Sequence, residues 1–398
     1  MHGKPSLISN AASQPTAPVP LWRLGFRPFF LFGSAFAVVA LLLWSLALSG
    51  HSGNWNPLGG VLAWHRHEMP FGFAAAILAG FLLTAVQNWT GRPGLSGRPL
   101  IALFALWLCA RLAWLGGIPL AITAILELTF LPAVAWVLGR QLWQARQTRN
   151  YPMVAIMLLI AACDALSMSG LAMGNDALQR NGALAALWLV ACLMWAIGGR
   201  VIPFFIQRGL NLPASAPLPV WVDVLGLGLG ILIAIALALG LVGIWLALPF
   251  TALTVLHGVR LWRWYTHGVW GVPLLWSLLL AYAWMPIATT LMALHSINLP
   301  VAASLGHHAL AVGGLGGLIL AMMARVSLGH SGRPLVPSSL MSIAFAAIHL
   351  GALARLLVPI IGSTGLMLAA TGWALAFTLF IACYGRILLS ARADGQPG

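Results

Sequence analysis

The chain has 398 residues, of which 61% are hydrophobic and only 7% charged. Soluble domains carry about a quarter charged residues, so a water-facing globular surface is excluded, and a mean hydropathy of +0.95 agrees. The net charge of +14 comes from Lys4 and a set of arginines that stand singly between apolar runs, the pattern of membrane topology rather than of a nucleic-acid-binding face.

Residues 1–20 are polar and rich in Pro, Ser and Ala. With no basic segment leading into an apolar core, they read as a disordered cytoplasmic tail and not as a cleaved signal. Residues 21–398 read as a single transmembrane helical domain. A helix needs about 20 apolar residues to cross the hydrocarbon core. Breaks at Arg, Gly and Pro give spans near 29–50, 66–87, 98–116, 118–141, 151–174 and 183–206. Six more follow near 219–240, 242–262, 272–295, 304–328, 339–361 and 364–388. The expected fold is an all-α polytopic membrane protein of about twelve transmembrane helices. Cys109, Cys163, Cys192 and Cys383 all fall inside these spans without a C-x-x-C pair, so they read as packing residues and not as a disulfide or zinc framework.

Orientation follows from counting cations on alternate sides. One side takes Lys4, Arg23, Arg27, Arg92, Arg98, Arg140, Arg146, Arg149, Arg200, Arg208, Arg260, Arg263, Arg325, Arg333, Arg386 and Arg392. The other takes only Arg180, while Arg66, Arg111 and Arg355 fall within spans or at their edges. The bias predicts both termini in the cytoplasm and a place in the bacterial inner membrane. His51, His65, His67, His295, His307 and His308 then gather at the outer ends of the spans. His349 lies near mid-membrane, and His257, His267 and His330 lie toward the cytoplasm. Ionisable groups are costly inside a membrane and are by default functional candidates.

An internal repeat sharpens the histidine pattern. Residues 67–93 align without gaps on 308–334, matching His67 with His308, Gly72 with Gly313, and Gly91-Arg92-Pro93 with Gly332-Arg333-Pro334. Arg111 corresponds loosely to Arg355, and the Arg200/Arg208 spacing to Arg325/Arg333. Four-helix units repeated three times predict a pseudo-threefold arrangement about the membrane normal. The repeat sets His67 and His308 at one depth on parallel helices, as two axial haem ligands would require. Arg66, Arg111 and Arg355 are the expected cationic partners of the propionates. The alternative is that both histidines only hydrogen-bond neighbouring helices.

The remaining histidines are candidates for a second metal. His65 and His67 point about 200° apart if both are helical, so they share one site only if His65 belongs to the preceding loop. A further metal site is expected from His65, His295, His307 or His349, with Glu68 or Met69; imidazole with thioether suits copper better than zinc. Gly313, Gly314, Gly316 and Gly317 allow close helix packing or room for a flat cofactor. Asp164 and Glu127 read as buried acids making helix–helix hydrogen bonds, or serving proton movement.

The motifs Trp64-His65-Arg66-His67-Glu68-Met69 with Phe71-Gly72, and Asn88-Trp89-Thr90-Gly91-Arg92, resemble the NnrS family. So do Arg200 with Pro203-Phe204-Phe205 and Arg208-Gly209, His308-Ala309-Leu310 with Val312-Gly313, and the run from Arg325 to Arg333. The resemblance covers nearly the whole chain beyond the tail. It implies a haem- and copper-containing bacterial membrane protein that binds nitric oxide in denitrification or nitrosative stress. Reduction or detoxification of the gas is the chemistry that a b-type haem with an open position would carry. The expected partners are nitric oxide, membrane lipid and an unidentified electron donor, with no nucleic acid.

The layout is also similar to the catalytic subunit of haem-copper oxidases and nitric oxide reductases, where histidines of helices 2 and 10 hold a haem. The sixth and seventh spans carry no histidine, so the usual copper ligands of that superfamily are missing. Two further readings stay open: a transporter for metal or haem, since repeats suit carriers, and a sensor or assembly protein that handles haem or copper without turnover.

Overall fold

The computed structural model describes residues 19–213 and 218–396, and among these it is all-α, with no strand. Most of the tail expected at residues 1–20 lies outside the described residues. Among the described residues twelve helices are long and apolar enough to span a bilayer: α1 (Phe26–Leu48), α2 (Gly60–Thr90), α3 (Gly97–Leu115), α4 (Leu120–Gln144), α5 (Thr148–Ala172) and α6 (Asp176–Gly209). The rest are α7 (Val220–Ala238), α8 (Ile244–Trp264), α9 (Pro273–Ser296), α10 (Ala303–His330), α11 (Ser339–Leu356) and α12 (Ser363–Leu389). A helix is the form that satisfies every backbone donor and acceptor within one segment in lipid, so each apolar run becomes a helix.

The largest departures from the sequence reading are at the starts of α2 and α6. α2 begins at Gly60, so His65 and His67 both stand in the helix. α6 begins at Asp176, where Asn175 caps it by accepting the Leu178 N–H at 3.0 Å. Its polar first turns, with Gln179, Arg180 and Asn181, extend past the apolar run that marks the span.

The packing order follows the proposed repeat. In each unit of four, the second helix packs on the fourth: α2 on α4, α6 on α8, α10 on α12. The fourth helix then packs on the first of the next unit, α4 on α5, α8 on α9 and α12 on α1, which closes the ring. α2 and α10 are the most buried spans, and both lie against α6.

The two repeat-related helices share a local irregularity. α2 widens into a π-helix over Glu68–Ala74, and α10 does so over Ala309–Gly316, each beginning just after its repeat-matched histidine. Pro70 lacks the N–H an α-helix would use, and Gly313 and Gly314 bring the wide turn of α10 against the Trp284 and Met285 side chains. Such bulges are rare and cluster at functional sites. Gly91 and Gly332, also repeat-matched, both sit past the helix end at positive φ, +67° and +69°, where only a residue without Cβ is unstrained.

Past α12 the chain turns back onto the Gly332 loop. Arg392 donates to the His330 carbonyl at 3.1 Å, and the Ala393 N–H to the Ser331 carbonyl at 2.9 Å. Arg392 also donates to both carboxylate oxygens of Asp394, at 2.9 and 2.5 Å. These bonds hold the Asp394 carboxyl down at about 2, below the ordinary aspartate value of about 4. A lowered folded value means the contact is full above about pH 4 and is lost as pH falls toward 2. Limited proteolysis should therefore cut the C-terminal segment faster at pH 2.5 than at pH 5, and an Asp394→Asn variant should lose that contrast.

α11 and α12 approach closest where glycine faces glycine: a Cβ on Gly372 would lie 2.7 Å from the Ala347 carbonyl and 3.0 Å from Gly351 Cα. Those are backbone atoms that cannot swing aside. Gly372→Leu should lower stability by about 1–3 kcal/mol, read as an earlier melting transition of the purified protein.

Candidate functional site

At the end of the bundle opposite the arginine-rich one, the helices enclose a cavity of about 1010 Å³, at the top of the roughly 300–1,000 Å³ range of cofactor and ligand pockets. Four imidazoles line it: His65 from α2, His295 from α9, and His307 and His308 from α10. Arg66, Arg180 and Arg355 line it too, with Met69, Met292, Trp44 and Trp373, and no described carboxylate does. The cavity is therefore basic, aromatic and rich in nitrogen and sulfur donors.

Local hydrogen bonds set the histidine tautomers. His308 Nδ1 donates to the Ser304 carbonyl at 2.7 Å, one turn back on its own helix, and His295 Nδ1 donates to the Val301 carbonyl at 2.9 Å. Each therefore keeps a lone pair on Nε2, the arrangement typical of metal-ligating histidines. His307 is the opposite case: its Nδ1 accepts from Trp188 Nε1 at 3.3 Å, which puts its proton on Nε2. The His65 ring stacks on Trp44 with centroids 4.2 Å apart, and its Nδ1 is buried without a hydrogen-bond partner. Arg355 brings Nη2 within 3.2 Å of His308 Nδ1, while Arg66 is paired with Asp176 at 2.5 Å.

The structure separates the two histidines that the repeat pairs. His308 faces the cavity; His67 does not line it. The His67 ring lies between two carboxylates, with Nε2 3.0 Å from Asp164 of α5 and Nδ1 3.2 Å from Glu68. Arg111 of α3 donates to both Glu68 oxygens at 2.8 Å and to Glu127 of α4. All five groups are buried. The expectation that Arg111 meets a propionate is thus replaced by a closed ion network, because two acids already claim its guanidinium. His65 and His67 point apart on one helix, as helical spacing requires, and it is His65 that reaches the cavity.

The divergence of equivalent positions has a local cause. Gly72 leaves the space that the Arg111 guanidinium fills, while its repeat partner Gly313 leaves space for the Trp284 ring. Glu68 follows His67, whereas Ala309 follows His308. An acid beside the first histidine therefore draws the arginine of α3 into the protein, and its absence beside the second leaves Arg355 on the cavity wall. The glycines of α10 serve helix packing: a Cβ at Gly316 or Gly317 would run into Trp373, or into Ala281 and His349.

Of the other candidates, His349 is away from the cavity. Its Nδ1 accepts from Trp284 Nε1 at 3.2 Å. His51 is exposed and pairs with Ser49. Arg180 and Asp176 belong to the site through the extended start of α6, which apolar-run counting cuts off.

The Arg111 network carries a stability prediction. Removing one partner of a buried ion pair costs about 3–5 kcal/mol, because the other charge is stranded. Arg111→Met should show a loss of that order in thermal unfolding. Adding Glu127→Gln to Arg111→Met should recover part of it, as a shared network demands and independent sites would not.

A family model described as NnrS protein matches residues 20–392. No curated protein matches the chain.

Proposed function

The chain belongs to the NnrS family, and from that premise we propose that it is a haem-binding membrane protein of the nitric oxide response whose cofactor occupies the four-histidine cavity. Family membership supports the association with nitric oxide. The observation that carries the haem reading is the lining itself: imidazoles on α2, α9 and α10 with three arginines and no acid. This donor set fits a flat, dianionic macrocycle with a central metal.

His65 and His308 are the proposed iron ligands, on the two helices that the repeat relates. The Ser304 carbonyl fixes His308 with its Nε2 lone pair available, and Trp44 fixes the plane of the His65 ring. Arg180 and Arg355 supply charge for two carboxylates, with Arg66 beside them already paired with Asp176, in place of the Arg66, Arg111 and Arg355 set suggested by sequence. A bound haem would supply an iron that exchanges one electron and takes nitric oxide at an axial position that one of the two imidazoles gives up. The protein holds the macrocycle's carboxylates, excludes lipid, and keeps competing acids away from the metal. Met69 and Met292 with His295 add thioether and imidazole donors of the kind that suits copper. The arginine-rich end is proposed to face the cytoplasm of a bacterial inner membrane, with the cavity toward the outer side.

Protein purified from haem-replete cells should show a Soret band that shifts on adding nitric oxide. His65→Ala and His308→Ala should each remove most of that band. His67→Gln should keep it while lowering the melting temperature. A colourless preparation, or a band lost with His67 and kept without His65, overturns the assignment.

A further inference from the structure

Away from the cavity and the Arg111 network, most of the remaining buried polar side chains of α7, α8 and α9 fall along one seam. At the arginine-rich end, Asp223 in the first turn of α7 is exposed and pairs with Arg260 of α8, beside Gly199 of α6. Arg260 Nη1 donates to the Tyr282 hydroxyl of α9 at 3.3 Å, and that hydroxyl lies 2.8 Å from His257 Nδ1. One turn further along α8, the Thr254 hydroxyl bonds Thr289 of α9 at 2.8 Å. Beyond Thr289, Met292 and Ser296 line the cavity.

The spacing makes this a continuous stripe. Arg260, His257 and Thr254 recur every third residue along α8, and Tyr282, Thr289 and Ser296 recur every seventh along α9, so each set lies on one helix face. Pro286 sits between Tyr282 and Thr289 and has no N–H to give the Tyr282 carbonyl, which releases a backbone acceptor inside the seam. His257 is fully buried, and its Nε2 has no hydrogen-bond partner. An unpartnered imidazole nitrogen at that depth is costly unless it has a use.

We propose that the α8–α9 seam conducts protons from the arginine-rich end to the cavity. The inference rests on the haem reading above, because an electron entering a low-dielectric site calls for a compensating proton. Tyr282 passes its hydroxyl proton to His257 Nδ1 and is reprotonated from the Asp223 side, while Nε2 releases its own proton toward Thr254. No charge accumulates on the ring, and each bond broken is matched by one formed. The interval from His257 to Thr254 is three residues, about 4.5 Å of rise, and that from Thr289 to Ser296 on the cavity wall is seven, about 10.5 Å. One water would bridge the first and a short file of waters the second, each with polar partners at both ends. Arg260, neutralised by Asp223, holds the hydroxyl in place rather than carrying the proton.

The test is proton uptake from solution by the full-length purified protein, followed with a pH dye while reduced methyl viologen, a one-electron donor that releases no proton, reduces the haem, then with nitric oxide added. Wild type should take up protons as the Soret band shifts. Thr289→Val, His257→Phe and Asp223→Asn should each slow uptake at least about tenfold with the oxidised Soret band unchanged, and Thr289→Ser should restore it. A preparation without a Soret band overturns the haem reading and with it the destination of the seam. A normal band with no uptake, or with uptake at wild-type rate in all three variants, overturns the seam alone.

Discussion

The guanidinium of Arg111, clasped by Glu68 and Glu127 inside the membrane, governs the layout of this end of the protein. A cation at that depth is tolerated only when paired, and pairing it ties α2, α3 and α4 together at one level. Asp164 reaches the same cluster from α5 through His67, so the first repeat unit is locked to the start of the second. Once His67 is held between two carboxylates, its helix presents His65 to the cavity instead. Which histidine of α2 reaches the cavity thus follows from the ion network that holds the other.

Carboxylates are scarce enough for their placement to be read individually. The chain has six, and each of the six is paired with an arginine or a histidine. Three are spent in the Arg111–His67 network, one on Arg66 at the rim of the cavity, one on Arg260 at the far end and one on Arg392 past α12. None remains to line the cavity, whose arginines therefore keep a positive field for an anionic occupant. The two ends of the molecule differ in where the acid stands: at one, buried acids neutralise the buried Arg111 away from the cavity, and at the other the exposed Asp223 neutralises the buried Arg260.

The twelve spans were legible because lipid enforces a single rule, a run of apolar residues closed on its own hydrogen bonds. The repeat was legible through Gly91 and Gly332, since a left-handed turn past a helix end favours glycine. Direction within the site was not legible. Helical geometry says that His65 and His67 diverge, but which of them meets a cavity depends on Glu127 and Asp164, far away in sequence on α4 and α5. Sequence reading marked both acids as buried; it had no means of bringing them to Arg111 and His67. Tyr282 and Thr289 were silent for a related reason: the Thr289 hydroxyl satisfies itself on the preceding turn, and the partners of the Tyr282 hydroxyl stand on another helix, at His257 and Arg260.

The paired π-helical turns bear on how one frame carries two different surroundings. A wide turn holds an extra residue without breaking the helix, and it changes the direction of every side chain beyond it. It stands in the same register of the two repeat-matched helices, one beside an ion network and the other beside a cavity. The turn is common to both halves, and the acid that follows His67 decides what is built beside it.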